Sequence, residues 1–531
     1  MPVSPTYPGV YIEEIPSGVR TIVGVATSIT AFIGTAIKGP VQEPTTINNF
    51  GDYERMFGGL SLDSTMSYAV RDFYLNGGSQ AIIVRIENGA EPATITLVGE
   101  ASPVDALVLE AASPGLWGNN LSAGVDYNTR DTTDTQLFNL TVQEGSGTPE
   151  KLFNVSMNSA DPRYLPRFLE QNSLLVRVQE DSSGNPILPA GRPAQTVSAT
   201  SPPTSPPTSL LDMVPSDNNG DDGSAPGTTD YTGSQSLKTG IFALDKADLF
   251  NLLCIPPPVR GQNTDVSVYQ TAVPYCVARR AMLIVDPPVE WGARAETAAS
   301  NARVGVETLR PSGTIARNAA IYFPMVVEQD PLRENQIDTF VPCGIVAGVM
   351  ARTDAQRGVW KAPAGLEGGL NGIVGLQVNL TDDENGILNP LAVNCLRSFP
   401  VNGRVVWGAR TLRGADQLTD EYKYVPVRRL ALFLEESLYR GTQFAVFEPN
   451  DEPLWAQLRL NIGAFMQNLF RQGAFQGRSP REAYLVKVDS ETTTQTDINL
   501  GIVNIVVGFA PLKPAEFVII KIQQLAGQIA V

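Results

Sequence analysis

The hydrophobic positions of the chain change period three times. TIVGVATSITAFIGTAIKGP (21–40) is a nearly continuous apolar run that predicts a buried strand closed by Gly39 and Pro40. Met66, Val70, Phe73 and Tyr74 then recur at helical spacing within 63–76, and Gly77 and Gly78 stop that helix. QAIIVRI (80–86) reads as a second strand, so this part has an α/β layout. From 91 to 240 the pattern shortens. ATITLV, DALVLEA, QLFNLTVQE and KLFNVSM alternate as strands of a β-rich insertion. Residues 181–240 then lose apolar periodicity. SATSPPTSPPTSL (198–210) and DNNGDDGSAPGTTD (217–230) hold too little apolar surface to pack a core.

After 240 the α/β alternation resumes. A short helix and the strand LFNLLCI lie within 243–258, followed by a helix over 265–281 interrupted near Pro274. The strand AMLIVDPP (281–288), a helix over 290–310 and the strand AAIYFPMVVE (319–328) continue the series. Residues 340–412 read differently, as short apolar runs separated by Gly344, Gly348, Gly358, Gly365 and Gly408. Glycine there lets backbones turn or approach closely. Gly358, Trp360, Trp407 and Gly408 are expected to form a rigid structural platform, with both tryptophans as packing anchors.

Toward the end, Leu430, Phe433, Leu434 and Leu438 share one face of a helix over 426–440. Leu454, Leu458, Ile462, Phe465, Met466 and Leu469 stripe a second helix over 454–475. Arg428, Arg429, Arg440, Arg459 and Arg471 fall on the polar faces. AYLVKVD (483–489) and DINLGIVNIVVGFAP (497–511) predict strands, separated by a Thr-rich turn. Pro511 and Pro514 detach a last strand pattern, AEFVIIKIQQLAG (515–527), from that sheet. At the other end, 1–20 is flanked by prolines and too short for a core strand, so it reads equally as an extended arm or as a frayed terminus.

Length and chemistry narrow this picture. A chain of 531 residues exceeds one core, so several domains are expected. The boundaries are a 1–20 arm, an α/β domain from 21–90 and 241–360, and the acidic β-rich insertion 91–240. A C-terminal domain over 361–511 and a 512–531 arm complete the division, giving an α/β (α+β) multidomain fold. There is no histidine, which removes the commonest general base and metal ligand. Cys254, Cys276, Cys343 and Cys395 lack metal or redox spacing and read as buried thiols. GLEGGLNG matches neither dinucleotide nor P-loop patterns. Asp286 ends a strand, where a doubly wound enzyme places catalytic groups, but it has no partner base and reads as a turn residue before two prolines. No catalytic set, cofactor or metal is expected. The net charge is −16, and residues 91–240 supply most of it, with 7 basic and 18 acidic side chains. That balance disfavours nucleic acid and anionic membranes. No apolar run is long enough to span a bilayer and no signal peptide is visible, so cytoplasmic synthesis and assembly are expected.

Several ordered segments carry a family resemblance. GVMARTD, GVWKAPAG and VVWGARTL, with YPGVYIEEIPSG and GFAPLKPAEFVIIKI outside them, resemble contractile tail sheath proteins of phages and phage-tail-like injection systems. The resemblance leaves out roughly 90–240. It implies a helical stack of hexameric rings around an inner tube, with baseplate and tail terminator or cap proteins as further partners. It also implies terminal arms that add strands to neighbouring subunits, carried here by Tyr7, Val10, Ile12, Phe517, Ile519 and Ile522. A C-terminal helix would face an acidic tube, making Arg459 and Arg471 the tube-facing candidates. A non-contractile lattice protein and an α/β enzyme with a β-rich accessory domain are the competing readings.

Overall fold

In the computed structural model, residues 21–102, 104–196 and 213–522 are described. Tyr7, Val10 and Ile12, the Pro/Ser run 198–210 and the last part of the C-terminal arm lie outside them. The chain divides into two units, one of residues 28–352 and 364–419, the other of 1–27, 353–363 and 420–531.

The larger unit is organised by an eight-stranded sheet. Its strands are β1 (Thr30–Gly34), β2 (Thr45–Ile47), β3 (Ala81–Arg85), β4 (Leu252–Cys254), β5 (Met282–Val285), β6 (Ala319–Phe323), β7 (Val393–Phe399) and β8 (Gly403–Val406), in the order β8-β7-β6-β5-β4-β1-β3-β2. The six inner strands run parallel, and an antiparallel strand closes each edge. Every residue of β1, β3, β5 and β6 is buried, as expected for parallel strands covered on both faces, which explains their continuous apolar sequences. The insertion holds two antiparallel sheets. One contains Thr94–Leu97, Leu107–Ala111 and Val176–Val178; the other contains Leu121–Asp126, Leu137–Glu144, Glu150–Ser156 and Val214–Pro215. They enclose a separate core around Trp117, Phe138 and Leu140.

Several elements differ from the sequence reading. The stretch 319–328 is two strands, β6 and Val326–Asp330, parted at Pro324. The α-helix expected from 290 begins only at Ala298, after two 3-10 turns. Residues 364–419 join the larger unit instead of a C-terminal domain starting at 361, because β7 pairs with β6 through Ile321↔Val393.

The glycine-spaced stretch after 340 is a helix. We label Thr65–Leu75 α1 and Cys343–Arg357 α2. Gly344 and Gly348 lie one turn apart, and a Cβ on either would strike the backbone of α1, at Ala69 and Phe73. The two glycines therefore permit a close helix crossing. At Gly348 the added Cβ would sit 2.5 Å from the Phe73 carbonyl oxygen. An exposed helix gains about 1 kcal/mol from Gly→Ala. Here the clash is with backbone that cannot rotate away, so Gly348→Ala is expected to destabilise by about 1–3 kcal/mol. Denaturant unfolding measures the sign, and a gain in stability would refute the close crossing.

Candidate assembly interface

The smaller unit is built from stretches far apart in sequence. Its two main helices are α3 (Val425–Gly441) and α4 (Glu452–Arg471). Pro426 and Pro453 sit in their first turns, where a missing N–H costs nothing. Asp451 caps α4 by accepting from the Leu454 N–H. The facing stripes meet as Leu430, Leu434, Ile462, Phe465, Met466 and Leu469.

Residues 21–27 lie along α3. Ile22 packs into the same core, and the Val25 N–H donates to Ser437 Oγ at 3.2 Å. Gly24 leaves room for the Phe433 ring, which a Cβ there would meet at 2.8 Å and force to shift. At Thr27 the segment reaches a buried ion pair. Arg429 donates to Asp354 through Nη1 at 2.9 Å and Nη2 at 2.6 Å, and Nη2 also donates to the Thr27 carbonyl at 2.9 Å. The Thr27 hydroxyl donates to Asp354 Oδ2 at 2.6 Å. Both charged side chains are at most 5% exposed. Periodicity puts Arg429 on the polar face of its helix; the structure buries it because a carboxylate and a carbonyl receive its fork.

A two-stranded antiparallel sheet follows, β9 (Tyr484–Lys487) with β10 (Val506–Phe509), in the register Tyr484↔Phe509. It leans on the helices through Tyr484, Val486, Val507 and Phe509. The single strand expected over 497–511 is instead a helical turn, Gln495–Asn499, and then β10. Thr494 and Asp497 form the capping box that starts the turn. Among the described residues no third strand joins this sheet, so apart from a single Phe475↔Pro511 bridge just past β10, β9 and β10 each leave one edge unpaired.

Beyond β10 the chain stays fastened for a few residues. The Ala510 carbonyl accepts from the Gln476 N–H at 2.9 Å, and Tyr424 Oη donates to Glu516 Oε2 at 3.2 Å. After Glu516, Phe517, Val518, Ile519, Ile520 and Ile522 are all exposed, from 73% at Phe517 to 93% at Ile522. Residues 512–522 have no strand partner among the described residues. An apolar β-forming run without sheet or core is what a solitary chain avoids. Phe517, Ile519 and Ile522 are therefore together and available.

The other sequence candidates are scattered. Arg459 donates to Glu452 at 2.5 Å and to the Val488 carbonyl, so its charge is engaged. Arg471 is exposed at the C-terminal end of α4. It closes an exposed face made by Ala456, Leu460, Ala464 and Asn468, which carries no other charge. The four platform residues divide between the two units. Gly358, at φ 93°, ends α2 beneath the Trp360 ring, which packs partly buried on the α3–α4 core. Trp407 and Gly408 lie in the larger unit, and Trp407 is 38% exposed against Phe399. The buried tryptophans are Trp117, Trp291 and Trp455. Asp286 is buried, and its Oδ1 accepts from the Cys343 N–H at 3.0 Å, which makes it the clasp on the first turn of α2. Burial pushes its carboxyl up to about 7.

A parallel α/β sheet carrying a β-rich insertion, with a separate helical unit bearing a small open sheet, is the fold of tail-sheath subunits. The chain aligns with the sheath complex of an extracellular contractile injection system (PVC) in its contracted state at TM-score 0.58 and 21% identity, over 98% of each chain. It aligns with the contracted helical sheath of the anti-feeding prophage at TM-score 0.54 and 22% identity, over 98% of this chain and 100% of that one. A sheath tail protein from Listeria innocua gives TM-score 0.57 at 16% identity, covering 92% and 96%. In sequence, residues 238–412 match the phage tail sheath protein central domain and 417–524 the phage tail sheath C-terminal domain, together more than half of the chain. The protein belongs to the phage tail sheath family. Tail sheath proteins of Vibrio phage KVP40 and Enterobacteria phage T4 are 29% and 25% identical to it over 137 and 135 residues, 25% of this chain in each case. The alignments span 20% of the length of those curated relatives.

The Arg429–Asp354 pair yields a direct test. Asp354→Ala leaves a buried guanidinium without its carboxylate, which costs about 3–5 kcal/mol. Hydrogen exchange at residues 21–27 is expected to accelerate more than exchange in the larger unit. Equal acceleration in both would show that the pair does not anchor this segment.

Proposed function

We propose that this chain is the subunit of a contractile sheath, polymerising as stacked hexameric rings around an inner tube and shortening to drive that tube through a target envelope. The observation that carries the reading is the pairing of an exposed apolar segment, Phe517–Ile522, with a two-stranded sheet open at both edges in the same unit. An open edge offers unpaired N–H and C=O groups, and each hydrogen bond added there contributes about 1 kcal/mol. In this reading the C-terminal segment of one subunit extends the β9–β10 sheet of another. The N-terminal arm, with Tyr7, Val10 and Ile12, does the same at a second edge. Such a contact is heterologous and does not close on itself, so it builds a helix. Contraction is then a rigid-body rearrangement in which the arms keep subunits linked.

Arg471 is the stronger candidate for an acidic tube surface, because Arg459 is already held by Glu452. Baseplate and terminator or cap proteins complete the proposed partners, and the particle is a phage tail or a tail-like injection device. Deleting residues 1–20, or truncating after Glu516, is expected to leave a folded soluble chain that forms no tube-like polymers. Normal cylinders from both truncated chains in electron micrographs would defeat the arm roles. Arg471→Glu is expected to reduce co-assembly with the tube protein at least several-fold while sheath polymers persist. Unchanged co-assembly would remove Arg471 from the tube contact.

A further inference from the structure

A second feature lies in the larger unit, away from the arms. Arg71 of α1 donates to Asp72 Oδ1 from Nε at 3.0 Å and from Nη2 at 2.9 Å, and Nη2 also binds Glu328 Oε2. Two carboxyl groups therefore share one guanidinium. Their remaining oxygens, Asp72 Oδ2 and Glu328 Oε1, are buried and face no N–H or O–H donor. The side chains are 3% and 1% exposed. If both were ionised, one negative charge would remain uncompensated in a nearly dry site, which is strongly unfavourable.

The surrounding charges do not supply the missing compensation. Arg260, from the loop after β4, spends Nη1 on Asp330 Oδ2 at 2.7 Å and Asp338 Oδ2 at 2.9 Å. Tyr68 of α1 donates its hydroxyl to Asp330 Oδ1 at 2.7 Å. Arg333, half-exposed at the rim, lies 3.3 Å from Asp338. Arg71 is thus the one guanidinium hydrogen-bonded to Asp72 and Glu328, while Arg260, bonded to other carboxylates, acts on Glu328 through space and only partly offsets its burial. A single proton between Asp72 Oδ2 and Glu328 Oε1 would balance the charge and satisfy both oxygens at once.

We propose that Asp72 and Glu328 hold one proton between them at neutral pH, forming a latch between α1 and the strand Val326–Asp330 that alkaline solution releases. Burial raises both carboxyls, and the neighbouring Asp72 charge adds to the effect on Glu328, which is pushed up to about 9 against the opposing pull of Arg71 and, more weakly, of Arg260. The sign follows from linkage. The folded chain keeps a proton that the unfolded chain releases near 4.5, so the stabilisation is full below that value and is lost as pH rises to about 9. Across neutral and mildly alkaline pH the unfolding constant should therefore rise about tenfold per pH unit from this one proton.

Glu328→Gln is the informative variant. Its amide oxygen accepts from Arg71 while its N–H₂ donates to Asp72 Oδ2, fixing the protonated arrangement permanently. The full-length protein is followed by infrared spectroscopy for a protonated-carboxyl stretch and by denaturant unfolding from neutral pH to about 9. The expected result is a band that titrates near the upper end and is absent in Glu328→Gln. The variant should also lose the tenfold-per-unit rise. Asp72→Asn, with the same hydrogen-bonding logic, replaces it if Glu328→Gln fails to fold. A wild-type protein with no such band overturns the proposal. So does an alkaline loss of stability that is equally steep in the variant.

Discussion

The smaller unit depends on one buried ion pair. Thr27, Asp354 and Arg429 come from three separate stretches, Thr27 more than 300 residues before the other two and Asp354 75 residues before Arg429, and the Arg429 fork touches the other two. Apolar packing alone could hold residues 21–27 against α3 in several registers, because such contacts are non-directional. The bidentate geometry permits one. A buried pair adds little net stability compared with a well-packed apolar substitute, since desolvation offsets most of the attraction. Its contribution here is position: it sets where the N-terminal stretch leaves α3 and how the 353–363 crossing meets the helices.

Much of the larger unit was legible because buried parallel strands write themselves as unbroken apolar runs. β1, β3, β4, β5 and β6 all fall inside runs visible in the sequence. What failed to show has identifiable causes. Helix α2 is largely buried in its first turns, from Cys343 to Ala351, so it carries no amphipathic stripe, and Gly344 and Gly348 suggested turns when they serve a close crossing. The 364–419 stretch looked like the start of a new domain because its pairing with β6 is non-local, and periodicity does not report register across such distances. Rarity of tryptophan did not separate the anchors: Trp360 packs partly buried on the α3–α4 core and Trp407 is 38% exposed, whereas Trp117, Trp291 and Trp455 are buried.

The candidate interface was legible in part for the opposite reason. The strand pattern after Pro511 stood out because Pro511 and Pro514 break the chain ahead of it, and residues 517–522 are exposed. The helix-face arginines were a poorer guide. Amphipathicity marks a side chain as off the apolar stripe, but it does not distinguish a solvated Arg471 from Arg429, which another segment covers. Only the distant partners Asp354 and Thr27 decide that, and no local pattern reveals them.

Energetics explain why the proposed strand exchange suits a device that must move without falling apart. Burying a large apolar side chain stabilises by about 1.5–3 kcal/mol. Five such side chains lie between Phe517 and Ile522. Ordering each backbone residue costs about 1–2 kcal/mol, and ordering the side chains costs more. Gain and cost for one arm are of similar size, so a single donated strand is a weak tether. It becomes firm when the acceptor is already rigid, as β9 and β10 are against α3 and α4, and when each subunit is both donor and acceptor. Links of that kind share load through a lattice while leaving the larger units free to repack. A tighter, deeply buried interface between those units would instead resist the rearrangement that contraction requires.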